Sequence, residues 1–374
     1  MTHIFYFSRG YTPHDYRFLE ALSRTEYKVD YLRLENRQPS LEHRPLPENI
    51  RQIKWTGGQG PLNFEDLSGL VGDLERVIQE VQPDLIHAGP IQSAAYLAAR
   101  TGFKPLVSMS WGYDLLVDAD RSPELRQATS FTLQHSTVLV GDCQAVRQKA
   151  ISLGMPPEQI VTFPWGVDLE DFSLRRAPAP DKNAFTIFST RSWEALYGVD
   201  ILAQAFVQAS RQNPELRLCM LGNGSLATEL QSIFEKGGLI ERVSFPGQVQ
   251  QSNLPEYYRS ADLYVSASHT DGSSISLLEA LACGVPALVS DIPGNREWVE
   301  PGVQGWLFPE WDVEALAQGI LHAVRERQAL PEMGRAARQL AEARADWSKN
   351  FTELLRAYEL ALACTSEPDH TRET

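Results

Sequence analysis

Residues Ser268–Trp298 read SHTDGSSISLLEALACGVPALVSDIPGNREW, and the interpretation of the remaining chain starts from this stretch. A short apolar run before it predicts a buried strand that leads into the polar loop 268–274. Gly272 lets that loop turn tightly, and Ser274 is a residue type that often precedes the first turn of a helix. The pattern therefore predicts a helix that begins near Ile275, with unpaired backbone N–H groups facing the loop.

The beginning of this predicted helix suits a ligand that carries a diphosphate and several hydroxyl groups. Unpaired amides and the positive end of the helix dipole favour an anion there. Asp271 in the loop and Glu279 in the helix supply carboxylates that accept hydrogen bonds from hydroxyl groups. Nucleotide sugars have both parts. The residues expected to contact such a donor are Asp271, Gly272, Ser273, Ser274, Ile275 and Glu279.

The motifs of this stretch resemble the donor-site signature of the large retaining glycosyltransferase family 4, which has the GT-B fold. The resemblance lies in Asp271, Glu279, the run Ala280-Leu-Ala-Cys-Gly-Val-Pro286 and the turn Ser290-Asp-Ile-Pro-Gly-Asn-Arg-Glu297. In that family the second carboxylate accepts hydrogen bonds from the ribose, and the loop before it holds the sugar and the distal phosphate. The first carboxylate is usually Glu followed by Gly-Phe-Gly, whereas this chain has Asp271 followed by Gly-Ser-Ser. We therefore expect the sugar pocket to differ.

Composition indicates a globular protein with two domains. The chain has 374 residues, which is enough for two cores of about 150–200 residues each. The formal net charge of −14 and the lack of Lys/Arg blocks argue against a nucleic-acid partner. The four cysteines are scattered without metal-ligand spacing, which fits a reducing compartment. Neither a signal peptide nor an apolar run of about 20 residues is evident, so we expect a cytoplasmic protein, with transient contact to the inner membrane face left open.

Strand and helix patterns alternate along the chain, which favours the α/β class with parallel, doubly wound sheets. The resemblance extends this expectation to GT-B, in which two Rossmann-like domains face a cleft. Residues 330–362 have a helical pattern. The expected segments are a first domain over 1–172, a linker over 173–184, a nucleotide-sugar-binding domain over 185–345, a helix over 346–364 that crosses back onto the first domain, and a disordered tail over 365–374.

Two loops of the first domain hold further candidates. In the resembling family the loop after the first strand faces the donor phosphates or the acceptor, which makes Gly10 a donor candidate and His14 an acceptor candidate. An ordinary turn, with Asp15 in the first turn of a helix, is an equally good interpretation. Many relatives have His where Trp111 stands, so its role either passes to Asp114 or is lost. A packed Trp111 is the alternative.

Loops of the second domain hold candidates for the diphosphate and the nucleotide. Arg191 resembles the family arginine that grips phosphate oxygens by two parallel hydrogen bonds, with a surface ion pair as the alternative. The lysine position of the family holds Tyr197, so either the helix amides carry more of the charge or Tyr197 donates a neutral hydrogen bond. Gly222 and Gly224 form a turn beside the expected nucleotide. Val249 follows the turn where family members bind the base, and a bare turn is the alternative there.

No metal or cofactor is expected. The run Asp118-Ala-Asp120 resembles the metal motif of the other large glycosyltransferase fold. Helix-start residues follow it, so we interpret it as part of a helix N-terminus rather than as a metal site. No Gly-x-Ser-x-Gly turn is present to support a serine hydrolase.

The resemblance implies a retaining, metal-independent glycosyltransferase that uses a nucleotide-diphosphate sugar, with a UDP-sugar favoured and GDP-mannose next. The acceptor would be a hydroxyl group on a glycan, a lipid-linked molecule or a small molecule. The expected catalytic residues are Arg191 at the diphosphate, Asp271 at the sugar and Glu279 at the ribose. Two other classes stay open, namely a GT-B sugar-nucleotide epimerase or hydrolase, and a non-catalytic subunit that binds a nucleotide sugar.

Overall fold

The computed structural model describes residues 1–35, 44–58, 67–174 and 184–366. The chain forms two compact units, Met1–Phe163 with Phe351–Thr374, and Pro164–Asn350. The predicted linker over 173–184 lies mainly outside the described residues, and so does most of the predicted disordered tail. The first two residues of that tail, Thr365 and Ser366, instead end the last helix.

The first unit is built on a parallel sheet, which has seven strands within the described ranges. In chain order they are β1 (His3–Ser8), β2 (Lys28–Arg33), β3 (Arg51–Gln52), β4 (Leu85–Gly89), β5 (Leu106–Met109), β6 (Val138–Gly141) and β7 (Ile160–Thr162). Across the sheet the order is β3-β2-β1-β4-β5-β6-β7. Its helices are α1 (Pro13–Leu22), α2 (Leu67–Val81), α3 (Ala94–Arg100), α4 (Ala119–Arg121), α5 (Pro123–His135) and α6 (Gln144–Ser152).

The second unit repeats this plan with a parallel sheet that has six strands in its described part. They are β8 (Phe185–Ser189), β9 (Leu216–Leu221), β10 (Val243–Gly247), β11 (Leu263–Ser266), β12 (Ala287–Ser290) and β13 (Gly305–Phe308). Across the sheet the order is β10-β9-β8-β11-β12-β13. The remaining helices are α7 (Val199–Gln212), α8 (Ala227–Lys236), α9 (Leu254–Ser260), α10 (Ile275–Ala282), α11 (Pro293–Arg296), α12 (Val313–Arg325), α13 (Leu330–Arg344) and α14 (Trp347–Ser366).

The strand order of the second sheet identifies where a ligand is expected. β8 pairs with β9 on one side and with β11 on the other, so the order reverses between β8 and β11. In open α/β sheets, ligands bind in the crevice beyond the carboxyl ends of the strands at such a switch point. Arg191 follows β8 and Asp271 follows β11, so both lie at this position.

Residues 330–362, which the sequence predicts to be helical, lie in two helices, α13 and α14, with Ala345 and Asp346 between them. The break lets Val167 insert its backbone between the two helices: Val167 N donates to Ala345 O at 2.7 Å, and Trp347 N donates to Val167 O at 3.1 Å. Through these bonds the segment 164–172 belongs to the second unit, whereas the predicted boundary assigns it to the first.

Candidate functional site

The loop after β11 leads into α10 as the sequence predicts, and the helix begins at Ile275 with Ser274 as its cap residue. The Ser274 side chain makes no capping hydrogen bond to the helix backbone. Its Oγ instead accepts a hydrogen bond from Nη1 of Arg191 at 2.7 Å. The serine expected to cap the helix therefore holds the guanidinium group at the helix N-terminus.

Arg191 is the centre of a buried polar cluster formed by the loops after β8 and β11. Nη1 also donates to Ser276 Oγ at 2.9 Å, and Nη2 donates to Asp271 Oδ2 at 2.6 Å. The Arg191 side chain is 11% exposed and that of Asp271 is 22% exposed. A guanidinium held by three side chains at a switch point offers a fixed positive charge to an incoming anion.

Tyr197, which stands at the lysine position of the family, lies with its ring against Arg191. The guanidinium carbon of Arg191 lies 4.2 Å from the centre of the Tyr197 ring, so the ring stacks against the cation. Burial by itself lowers the pKa of Arg191, but the charge of Asp271 and the nearby tyrosines together raise the pKa above its ordinary value. Arg191 therefore keeps its charge although it is buried.

Glu279 lies on α10 and is 7% exposed. The hydroxyl of Tyr258, on α9, donates to its Oε2 at 2.7 Å, and Tyr258 is itself fully buried. Sequence reasoning missed Tyr258. Since Tyr257 and Tyr258 are adjacent aromatic residues in one helix, no pattern in the sequence indicates which of them faces Glu279.

Two glycines and one tryptophan hold the loop between β11 and α10. A Cβ at Gly198, where φ is +56°, would lie 2.2 Å from Ala267 O, and a Cβ at Gly294 would lie 2.4 Å from Gly272 O. Trp298 Nε1 donates to Ser273 Oγ at 3.1 Å. The loop is thus in direct backbone contact with its neighbours, which only glycine permits at these two positions.

Gly222 and Gly224 also have a steric reason for being glycine. A Cβ at Gly222 would lie 2.5 Å from Arg191 O, and a Cβ at Gly224 would lie 2.4 Å from Trp193 O. The turn after β9 therefore packs directly onto the backbone that carries Arg191. Val249 is half-buried and follows β10, at the same edge of the sheet.

The remaining candidates lie in the first unit. The Gly10 carbonyl accepts hydrogen bonds from the hydroxyls of Ser8 and Tyr31, the latter at 2.8 Å. The rings of His14 and Trp111 lie 5.5 Å apart, so the structure brings these two acceptor-side candidates together. Burial lowers the pKa of His14 to about 4, and His14 is therefore neutral at pH 7.

Asp114 is buried and holds its own loop in place. Its Oδ1 accepts from Ser110 Oγ at 2.6 Å and from Trp111 N at 3.0 Å, and its Oδ2 accepts from Ile91 N at 3.0 Å. Asp15 is held similarly, since Thr12 and Asp15 form a reciprocal capping box at the start of α1. These contacts account structurally for both carboxylates.

The Asp118–Asp120 run contacts cations of the protein itself. Asp118 pairs with Arg121 at 2.9 Å, and Asp120 pairs with Arg126 at 2.7 Å. The adjacent Ser122 caps α5 by accepting from Leu125 N at 3.3 Å. Within the described residues, no three His, Cys, Asp or Glu side chains group in a way that could hold a metal ion.

No helix in the described part of the chain combines the length and the apolar character needed to cross a membrane.

Two family models match the chain. The model described as Glycosyl transferases group 1 matches residues 171–340, which include Arg191, Asp271 and Glu279. The model described as Glycosyl transferase 4-like matches residues 3–142. The two matches therefore fall on different halves of the chain and together include most of it.

Curated relatives match in part. The chain is 32% identical over 207 residues to a phosphatidyl-myo-inositol mannosyltransferase of Mycobacterium tuberculosis, a match that covers 53% of this chain and 53% of that protein. It is 32% identical over 184 residues to the putative colanic acid biosynthesis glycosyltransferase WcaL of Salmonella typhimurium, covering 48% of this chain and 45% of that protein. The chain thus spans about half the length of the curated relatives it matches.

Solved structures match over nearly the whole chain. HepE of Anabaena, solved in complex with UDP, has a TM-score of 0.76 and 20% identity, and the match covers 96% of this chain and 100% of that one. Sucrose-phosphate synthase from Thermosynechococcus elongatus has a TM-score of 0.78 and 18% identity, with 97% and 100% covered. At such identities the likeness shows the fold alone, which agrees with the two parallel sheets. The family matches and this common fold show that the chain belongs to glycosyltransferase family 4, the group 1 glycosyl transferases, with the GT-B fold.

Proposed function

We propose that this chain is a retaining glycosyltransferase that moves a sugar from a nucleotide-diphosphate sugar to a hydroxyl acceptor without a metal ion. The observation that carries the proposal is the cluster of Arg191, Ser274, Ser276 and Asp271 at the N-terminus of α10. It combines a permanent cation, a helix N-terminus and a carboxylate at the switch point of the second sheet.

Each part of the cluster has a role in the proposed reaction. Arg191 and the first amides of α10 would stabilise the charge that grows on the diphosphate as the bond from the sugar carbon to the phosphate oxygen breaks. The acceptor oxygen would attack that carbon from the same face, and its proton would pass to the departing phosphate. Asp271 would hold the sugar hydroxyls and Glu279 the ribose. The protein then acts mainly through positioning and charge stabilisation.

For the donor we propose a UDP-sugar first and GDP-mannose second. A structural neighbour, HepE of Anabaena, was solved in complex with UDP-glucose, which supports the first choice. A relative named as a mannosyltransferase supports the second. We place the acceptor hydroxyl with the first unit, where the neutral His14 ring and Trp111 lie together. The proposed location is the cytoplasm.

The experiment that tests the proposal is a calorimetric titration of the full chain with UDP, GDP, ADP and their common sugar conjugates, first without metal and then with Mg²⁺. Micromolar binding of one diphosphate without metal, followed by sugar transfer to a hydroxyl acceptor, is the expected result. Consumption of the donor with no acceptor would indicate an epimerase or a hydrolase instead. Binding without any turnover would indicate a non-catalytic subunit, and no binding would overturn the donor site.

A further inference from the structure

We propose that Tyr258 is a positioning residue that fixes the carboxylate of Glu279 for the two ribose hydroxyls of the donor and so makes the site selective for ribonucleotides. This inference rests on the proposed function, because it assumes that Glu279 binds the ribose. It concerns a residue that neither the motifs nor the resemblance indicated.

The ring of Tyr258 is packed on several sides, which fixes the position of its hydroxyl oxygen. The residue is fully buried, and its ring meets that of Phe188 edge-on at 4.8 Å and that of Phe172 at 6.0 Å. These aromatic contacts lie in a packed cluster beneath α10. The hydroxyl donates to Glu279 Oε2 at 2.7 Å, an ordinary length for a hydrogen bond from a hydroxyl to a carboxylate.

The proton of this hydrogen bond stays on the tyrosine. Burial raises the pKa of Tyr258 well above its ordinary value, and the charge of Glu279 raises it further. Tyr258 therefore stays protonated at neutral pH and donates this hydrogen bond. With Oε2 held in this way, the plane of the carboxylate is set before a ligand binds. Ribose binding then does not include the free-energy cost of orienting the carboxylate.

The consequence is a specific pattern of selectivity. A carboxylate in a fixed plane accepts hydrogen bonds well only from hydroxyls in matching positions, such as the vicinal pair of a ribose. Without the Tyr258 hydroxyl, the carboxylate loses one of the contacts that set its orientation, and its terminal torsion, which is broad for glutamate, is less restricted. The affinity for a ribonucleotide then falls, because it depends on the fixed geometry. The affinity for a deoxynucleotide, which lacks one of the hydroxyls, falls less.

The test compares the affinities of the full chain for UDP, 2′-deoxy-UDP and 3′-deoxy-UDP by calorimetry, in the wild type and in Tyr258→Phe. If the wild type binds GDP rather than UDP, the guanine set is used. We expect the wild type to favour the ribonucleotide by about tenfold or more, the scale of one hydrogen bond to a charged group. Tyr258→Phe should lose most of this preference, while its affinity for the deoxynucleotides changes by less than about twofold.

Tyr257→Phe is the matched control, because it removes a hydroxyl from the adjacent, half-buried tyrosine. It should keep the wild-type preference. Glu279→Gln gives a second route to the same answer. It should lose the preference too, and the double variant Tyr258→Phe/Glu279→Gln should lose no more than Glu279→Gln alone, because both changes act through one hydrogen bond.

The outcomes separate the inference from the function on which it rests. A wild type that binds no nucleoside diphosphate overturns the proposed function. A wild type that binds UDP with a strong ribose preference, which Tyr258→Phe retains in full, overturns the positioning role and leaves the proposed function standing. A loss of preference in Tyr257→Phe equal to that in Tyr258→Phe would also contradict the inference. Loss in Tyr258→Phe alone supports it.

Discussion

Asp271 and Arg191 are paired with each other, with 2.6 Å between Oδ2 and Nη2, although the family resemblance assigns the carboxylate to the sugar and the arginine to the diphosphate. Eighty positions separate these residues in the chain. The carboxylate therefore occupies part of the guanidinium edge that a phosphate would use. Under the proposed function, a diphosphate that binds Arg191 would compete with Asp271 and release it for another partner.

Replacing Asp271 by Asn should for this reason strengthen the binding of a free nucleoside diphosphate by about three- to tenfold, the scale of one ion pair that a ligand displaces. Turnover should fall, because the sugar loses its carboxylate. Calorimetry with UDP and an assay of sugar transfer measure the two effects. Asp73→Asn, which removes the same charge from an exposed pair with Arg76 on α2, serves as the control and should change neither. Weaker UDP binding in Asp271→Asn would contradict the competition.

Removing Arg191 should affect both catalysis and stability. Arg191→Ala should lower turnover by about 100-fold or more, the scale of one donor lost from a charge-stabilising site. It also leaves Asp271 largely buried without its cation, which should lower the free energy of unfolding by about 1–3 kcal/mol. Urea unfolding of Arg191→Ala and of Arg191→Ala/Asp271→Asn distinguishes the two effects. The double variant should recover stability but not turnover, and equal stability of the two variants would show that the pair has no structural role.

Glu279→Ala should weaken donor binding by about 1.5–3 kcal/mol, the scale of hydrogen bonds to a charged group. The donor affinity measured by calorimetry checks this directly. A wild-type affinity in this variant would end the assignment of Glu279 to the ribose.

The close backbone contact at Gly198 predicts that alanine destabilises the protein there but not at Gly72, where there is space for a side chain. Gly198 has φ +56° and its added Cβ would lie 2.2 Å from Ala267 O, whereas Gly72, in α2, has nothing within 4 Å of an added Cβ. Gly198→Ala should destabilise the protein by about 1–3 kcal/mol through strain and displacement of the loop. Gly72→Ala should stabilise it by about 0.5–1 kcal/mol because alanine favours a helix interior. Thermal unfolding of both variants is the measurement, and equal effects would contradict the strain.

A pH dependence follows from His87 in the first unit, whose Nδ1 lies 2.6 Å from the Tyr358 hydroxyl. Burial lowers its pKa to about 3, below the ordinary value of 6.5. The unfolded chain therefore binds more protons than the folded one between these values, and stability falls as the pH drops below about 6.5. At pH 5 the loss attributable to His87 is about 2 kcal/mol. Urea unfolding at pH 7 and pH 5 should show a loss that is about 2 kcal/mol smaller in His87→Gln than in the wild type, because His14, whose pKa burial also lowers, contributes equally in both.

Sequence-based prediction worked best where a local pattern, within one strand or one helix turn, determines the structure. β1 is an example, since all six of its residues are buried in a parallel sheet and residues 4–7 form one apolar run. The start of α10 at Ile275 was also predicted correctly. β13 is harder to predict because it begins at Gly305. Glycine indicates a break in a strand pattern, but it is required here because an added Cβ would meet Ala287 O.

Pairings between distant residues were beyond sequence reasoning. The bond between Tyr258 and Glu279 spans 21 positions and depends on how α9 packs against α10, which no local pattern encodes. The stacking of Tyr197 on Arg191 was likewise unexpected, since a tyrosine at a lysine position suggested a hydroxyl donor rather than a ring face. The break before α14 did have a signal in Asp346, whose Oδ1 accepts from Ser348 N at 3.0 Å.

Because Arg191 stacks on Tyr197, the electron density of the Tyr197 ring influences how strongly the guanidinium is held. An aromatic ring attracts a cation through the negative potential of its face, and fluorine substituents withdraw that density in graded steps. Fluorinated tyrosines incorporated at position 197 would therefore vary the hold on the guanidinium 4.2 Å away without changing the shape of the site. Because Tyr197 is a ring rather than a lysine, the strength of its contact with Arg191 can be changed in small steps. A lysine charge at this position could only be kept or removed.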